Sequence, residues 1–413
     1  MKYVLLIGDG MADNPVSELD GKTPLQHVAL PHIDALASRG EVGNVKNCPD
    51  GLPPGSDTAI LSILGNDPNV CYTGRSPLEA AATGIVLSPG EVSYRCNMVA
   101  LEDGDKPYEE KKILSHSGGS IEGEESMELI EALFAEPVFA AAAKAAGMRV
   151  YPAPSFRHIA VQAGADIQGI SLLPPHDHLG EVIGPLLPSG NENATALKNL
   201  MALSHRILDG HPVNVRRRAA GKRPANGVWF WAEGSAVALE SFPARYGKRG
   251  VVISAVPLCH GIARLSGLDV VEVEGATGEL DTNYEGKVEA AVKALGDGYD
   301  FAAIHVEAPD ECTHNGDLPG KLQAIAWLDS RVIAPLTRAL QGEEYRLLIL
   351  SDHKTLTATR GHDGDPVPFL LYDSRVDSGC GACYDEENGQ RGRTLTDGYS
   401  TLMPLLFQGT EQN

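Results

Sequence analysis

No apolar run in this chain is long enough to cross a bilayer. Stretches such as VLLIG at residues 4–8 are strand-sized, whereas a spanning helix needs roughly 20 apolar residues. No membrane partner is therefore expected. Positive charge is scarce: 34 Lys and Arg against 55 Asp and Glu leave a net charge of -21, which argues against a nucleic-acid backbone as partner. Cysteine is sparse too, with seven residues at 48, 71, 96, 259, 312, 380 and 383. Cys380 and Cys383 form a lone CxxC without a second pair at zinc-ribbon spacing, and read as two loop cysteines kept reduced. There is no low-complexity tract and no repeat, which excludes disordered and solenoid architectures. A GxxxxGK[ST] loop is also missing, so use of ATP would need an unfamiliar site. The apolar part of MKYVLLIGDG is too short, and its flank too acidic, for a signal peptide. The expected location is the cytoplasm.

What is present is a globular composition, 43% apolar over 413 residues, long enough for two domains. The first strand reads KYVLLIG, and helices are expected at PHIDALASRG and SDTAILSILG. From residue 250 onward strands and helices alternate: GVVISAV, LCHGIARLSGL, DVVEVEG, GKVEAAVKALG, DFAAIHVEAPD, LQAIAWLDSRVIAPLTRAL and YRLLILSDH. This βαβ pattern predicts a mostly parallel sheet with helices on both faces. The middle reads differently, with VSYRCNMVAL at 92–101 alternating like a half-buried antiparallel strand. Residues 1–69 and 249–413 are assigned to an α/β catalytic domain, and residues 70–248 to an inserted α+β domain. Trp229 and Trp231 read as core, and His260 as structural.

Five separated stretches carry the chemistry. Asp9 in LLIGDGM, Asp310 with His314 in EAPDECTH, Asp352 and His353 in LILSDHK, and His362 in TRGHDGD offer ligands for a hard divalent metal. Ser56 in PPGSDTA opens a helix after a glycine, where an activated hydroxyl could act as nucleophile. Asp9, Asp310 and Asp352 are each expected at a strand end, and in a parallel sheet those ends share one edge. Asp310 and His314, four apart, share a helical face. Asp352 and His353 are adjacent, so their side chains are expected to diverge. The set suits about two metal ions, Mn²⁺ or Zn²⁺ rather than Mg²⁺ because of the imidazoles. A basic stretch at residues 206–223 is a candidate pocket for a small phosphorylated anion.

These strings, with GDGMAD (8–13), YTGRSPLEA (72–80), SYRCNM (93–98), FRH (156–158), PPHD (174–177), GKRPAN (221–226), GATGELDTNYEGK (275–287) and HVEAPDECTH (305–314), carry a resemblance. The chain resembles the archaeal-type, cofactor-independent phosphoglycerate mutases of the alkaline phosphatase superfamily. The resemblance implies a three-layer alkaline-phosphatase-like domain with a smaller inserted domain, the active site lying between them. It implies interconversion of 2- and 3-phosphoglycerate through a phosphoserine at Ser56, with no need for 2,3-bisphosphoglycerate. One metal would be held by Asp9, Ser56, Asp352 and His353, the other by Asp310, His314 and His362. The inserted domain would grip the substrate with basic residues, for which Arg157, His158, Lys222 and Lys287 are the candidates. One stretch departs from the family pattern. Archaeal members show Asp-His-Pro-Thr and then Arg-Thr-His-Thr, where this chain has SDHKTLTATRGHDGD. That version is similar to a bacterial subgroup proposed to phosphorylate homoserine, which is the alternative activity. A metal-stabilised protein without turnover is a third reading, disfavoured because it has no need of Ser56.

Overall fold

The computed structural model describes residues 1–377, 379 and 381–409. They form two compact units: Met1–Tyr72 with Ala238–Asn413, and Thr73–Val237. No helix among the described residues is long and apolar enough to cross a membrane.

The first unit is built on an eight-stranded sheet. Its order is Arg393–Leu395, Glu41–Val45, Val367–Asp373, Tyr345–Leu350, Lys2–Gly8, Phe301–Val306, Gly250–Ile253 and Asp269–Val271. Val367–Asp373 alone runs antiparallel to its neighbours. The central strands are continuous apolar runs because both faces are covered. On one face Val4, Leu6, Ile304 and Ile349 pack against Ile33, Leu36, Tyr284, Val288 and Ile325. On the other, Tyr3 and Phe301 meet the rings of Phe242 and Phe407. Helices therefore flank the sheet on both sides, the three-layer α/β arrangement that the alternation predicts. Gly8 pairs with Val306, and Ile7 with Leu350, which brings three strand ends to one edge.

Two elements depart from expectation. The single long helix anticipated at 322–340 is divided into Leu318–Trp327, a π-helical turn Leu328–Ile333, and Ala334–Ala339. Pro335 cannot donate to the residue four before it, and the ladder widens ahead of it. The turn also places Asp329 so that its carboxylate accepts the amides of His32 (2.9 Å) and Ile33 (2.7 Å), capping the helix Pro31–Ala37.

The second unit holds a five-stranded sheet in which Glu91–Leu101 pairs antiparallel with Arg157–Ala163 and with Gly227–Ser235. Glu91–Leu101 is buried along nearly its whole length, not on one face. Tyr94, Cys96 and Met98 enter the main core. The alternate positions Ser93, Arg95 and Asn97 are buried as well, on the side where helix Arg75–Ala82 supplies Glu79 to Arg95 at 2.8 Å. Alternation of polarity marks two environments here, neither of them bulk water.

Candidate metal centre

Each residue of the site is delivered by a local rule. Asp9 follows the strand Lys2–Gly8, and Gly10 turns the chain away with φ +59°. A Cβ on Gly10 would lie 2.4 Å from Thr355 Oγ1 and 2.8 Å from Asp310 Oδ1, so only glycine fits. Asp310 is not at a strand end as expected. The strand stops at Val306 and Asp310 lies on the helix Ala308–His314, started by Pro309 in its first turn. That helix puts Asp310 and His314 on one face. Asp352 and His353 lie beyond strand Tyr345–Leu350, in irregular backbone where side chains need not alternate. Their side chains converge, contrary to expectation, with Asp352 Oδ2 3.3 Å from His353 Nε2. His362 sits on Gly361–Asp363, hairpin partner of Lys354–Leu356. Ser56 is the first residue of helix Ser56–Ile63.

The hydroxyl of Ser56 lies 3.2 Å from Asp9 Oδ2 and 3.2 Å from His353 Nε2. Two overlapping groups present ligand atoms within 4.8 Å of one another: Asp310, His314 and His362, and Asp9, Asp310 and His353. Asp310 belongs to both. His314 Nε2 is 3.1 Å from Asp310 Oδ2 and 2.9 Å from His362 Nε2. The three imidazoles share one construction. Nδ1 of His314 meets the carbonyl of Arg360 (2.7 Å), that of His353 the carbonyl of Lys354 (3.2 Å), and that of His362 the carbonyl of Pro54 (3.3 Å). A carbonyl only accepts, so each Nδ1 carries a proton and Nε2 is the nitrogen that faces inward, the atom a metal would take once its own proton has left.

The electrostatics have the sign of a cation site. Burial, reinforced by Asp352 and Asp310, raises the Asp9 carboxyl well above the usual carboxylate range. Burial also works against the Asp310 carboxylate, but hydrogen bonds from His314 and His362 and the charge of His353 outweigh it and hold the carboxyl far below its usual range. The Asp310 hydrogen bond lifts His314 to about 9. In His362 burial is overcome by Asp310, and the imidazole is raised. Two buried carboxylate oxygens, Asp9 Oδ1 and Asp352 Oδ2, have no hydrogen-bond partner. Such atoms are costly unless a cation meets them. The donor set of carboxylates, imidazoles and one hydroxyl fits a divalent metal.

The basic candidates are dispersed. Lys287 lies in the first unit, not in the middle of the chain, on helix Tyr284–Gly296. Its buried ammonium donates to the His305 carbonyl at 3.0 Å, and burial lowers it to about 8. His158 is interior: Nδ1 accepts from the Ala153 amide (3.0 Å) and Nε2 meets Ser126 Oγ (3.2 Å), leaving no edge for a substrate. Lys222 is exposed after helix Pro212–Ala219. The arginines of that helix are engaged internally, Arg217 with Glu125, Arg218 with Asp103 and Asp209, Arg216 with Glu128. Three arginines of the basic stretch 206–223 are thus already ion-paired within the chain. Arg157 differs. Its Nε is buried without a partner, and burial, then Arg95, lowers its guanidinium. His116 nearby is lowered by burial, His176 and Arg157. Trp231 packs against His176 and beneath Arg95 at 4.6 Å, while Trp229 is core. His260 binds the Ser254 carbonyl at 2.7 Å. Cys383 is exposed, and Cys380 lies outside the described residues.

Two residues at the centre have no counterpart in the ligand reading. Thr355 Oγ1 donates to Asp310 Oδ1 at 2.6 Å and lies 3.2 Å from His353 Nδ1, touching both ligand groups. His305 Nε2 lies 3.0 Å from Asp9 Oδ2. The signal for His305 was its place next to the end of a strand whose neighbours supply ligands.

Comparison with known proteins identifies relatives over the whole chain. The sequence profile described as 2,3-bisphosphoglycerate-independent phosphoglycerate mutase matches residues 37–214. A probable 2,3-bisphosphoglycerate-independent phosphoglycerate mutase of Geobacter sulfurreducens is 43% identical over 410 residues, covering 98% of this chain and 100% of that protein. The 2,3-bisphosphoglycerate-independent phosphoglycerate mutase of Methanosarcina barkeri is 44% identical over 414 residues, covering 99% and 100%. Among solved structures, the cofactor-independent phosphoglycerate mutase of Thermoplasma acidophilum superposes with a TM-score of 0.67 at 26% identity, over 99% of this chain and 100% of that one. A protein of Pyrococcus horikoshii gives 0.79 at 28% identity, over 100% and 99%.

Proposed function

The chain belongs to the 2,3-bisphosphoglycerate-independent phosphoglycerate mutases, and from that premise we propose that it interconverts 2- and 3-phosphoglycerate with Ser56 as phosphoryl carrier. The observation that carries the reading is the position of Ser56 Oγ, within 3.2 Å of both Asp9 and His353. Asp9 accepts the hydroxyl proton and readies the oxygen for attack on the substrate phosphorus. The Ser56 O–P bond forms as the phosphorus–oxygen bond to one substrate hydroxyl breaks, and that oxygen takes up a proton. The second half reverses these events onto the neighbouring hydroxyl, so no outside phosphoryl donor and no bisphosphoglycerate is consumed.

Divalent metal, when bound, lowers the pKa of the serine hydroxyl and neutralises the phosphoryl oxygens. Asp9, Asp352 and His353 would hold it beside Ser56, and Asp310, His314 and His362 a second ion. The three imidazoles favour Mn²⁺ or Zn²⁺ over Mg²⁺. Of the basic candidates, Arg157 is the one we retain for the substrate. Its unpartnered buried Nε and the crowding of Arg95 and Arg75 around it, which Glu79 offsets only in part, are relieved by an anion.

The test is turnover of 3-phosphoglycerate by purified protein with Mn²⁺. 2-Phosphoglycerate should form, and its rate should fall at least 10³-fold in Ser56→Ala and vanish with chelator. ADP and phosphohomoserine formed from ATP and homoserine, without isomerisation, would overturn the mutase reading in favour of the kinase.

A further inference from the structure

The Asp9 carboxylate is asymmetric. Its Oδ2 meets Ser56 Oγ at 3.2 Å and His305 Nε2 at 3.0 Å, while Oδ1, equally buried, has no hydrogen-bond partner. His305 is itself 1% exposed, and its other nitrogen lies 3.1 Å from Ser254 Oγ. Ser254 Oγ in turn accepts the Val256 amide at 3.0 Å. In the ionised form that a metal ligand must take, the Asp9 carboxylate only accepts, so Nε2 carries the proton and Nδ1 must accept from the Ser254 hydroxyl. The chain of donors has one direction: Val256 amide to Ser254, Ser254 to His305, His305 to Asp9. This is the reverse of the other three imidazoles, whose protons sit on Nδ1.

We infer that His305, held in place by Ser254, is a positioning residue that commits Asp9 Oδ2 to a hydrogen bond and leaves Oδ1 as the atom offered to the metal. A second oxygen free to rotate would allow Asp9 to bind in two ways or to turn aside. Fixing one oxygen removes that freedom before the metal arrives. Oδ1 is also the oxygen facing His353 Nε2, at 3.5 Å. The inference rests on the proposed role of Asp9 as a ligand.

The test uses the whole, metal-stripped protein and Mn²⁺ as probe. Long-range ¹H–¹⁵N correlation of the wild type should show His305 as the Nε2–H tautomer, and Ser254→Ala should weaken that preference. Mn²⁺ titration by calorimetry should show one binding step weakened about 10–100-fold in His305→Leu, with the other step within threefold. His305→Gln keeps an N–H donor and should recover affinity to within about fivefold of wild type. A proton on Nδ1 in the wild type, unchanged Mn²⁺ affinity in a folded His305→Leu, or a His305→Gln as weak as His305→Leu overturns the inference. Should His305→Leu not fold, the wild-type tautomer and the Ser254→Ala titration decide it. Asp9→Asn separates the two claims. If it leaves Mn²⁺ binding intact, the ligand role of Asp9 fails; if it abolishes a step that His305→Leu preserves, only the positioning role fails.

Discussion

Thr355 joins the two halves of the site through one oxygen, donating to Asp310 and lying beside His353 Nδ1. Thr355→Val keeps the volume and removes the hydroxyl, so Asp310 loses a donor in a dry environment. We expect a loss of about 1–2 kcal/mol in stability and a roughly 10–100-fold fall in kcat, whereas Thr355→Ser should retain most of both. Urea unfolding and steady-state kinetics on the three proteins measure this. His158 makes a different prediction. Burial lowers its imidazole to about 4, against an unfolded value of about 6.5. Above about 6.5 both states are neutral and the full stability is present. As pH falls from there towards 4, the unfolded chain takes up a proton that the folded chain refuses, and stability drops by up to about 1.4 kcal/mol per pH unit. His158→Asn can still accept the Ala153 amide but does not titrate. Its urea stability, measured in chelator between pH 7 and 5, should fall less steeply by that amount.

Elements explain what was legible and what was not. The strands Lys2–Gly8 and Tyr345–Leu350 are continuous apolar runs, and a run covered on both faces is the clearest trace a parallel sheet leaves in sequence. Asp9, Ser56, Asp310, His314, Asp352, His353 and His362 could be picked out because ligand chemistry restricts residue type, and the structure brings all seven together. Asp310 reads as a strand end because a strand that runs into a proline-initiated helix looks like one extended stretch until Pro309 is taken as a helix start. The convergence of Asp352 and His353 could not be read, since irregular backbone has no period. Nor could the fate of the arginines at 216–218, whose partners Glu125, Glu128, Asp103 and Asp209 come from elsewhere in the chain. Charge runs report composition; only folding assigns them to solvent, ion pair or ligand. His305 and Ser254 escaped because an orienting residue needs only a donor of the right reach, a requirement many side chains meet.

At the scale of the molecule, the chain leaves the first unit at Tyr72 and returns at Ala238. Thr73–Val237 is continuous and owns its core, in which Leu129, Phe139, Leu197, Met201, Val228 and Phe230 are buried together. We expect the fragment 73–237 to fold alone, with a helical and sheet circular dichroism spectrum and a cooperative urea transition, yet to bind no Mn²⁺ at micromolar concentration. A non-cooperative transition would show that its core needs the rest of the chain. The carbonyl clamps on His314, His353 and His362 have a consequence for descent. A main-chain oxygen is chemically the same whichever side chain its residue bears, so mutation can rewrite Lys354, or Arg360 within the residue types its φ of +58° admits, and leave the imidazoles aimed as before. Thr355 is the exception within that stretch. Lineages of these enzymes can therefore diverge between His353 and His362 while inheriting an unchanged ligand geometry, and divergence there is a poor guide to whether the chemistry has changed.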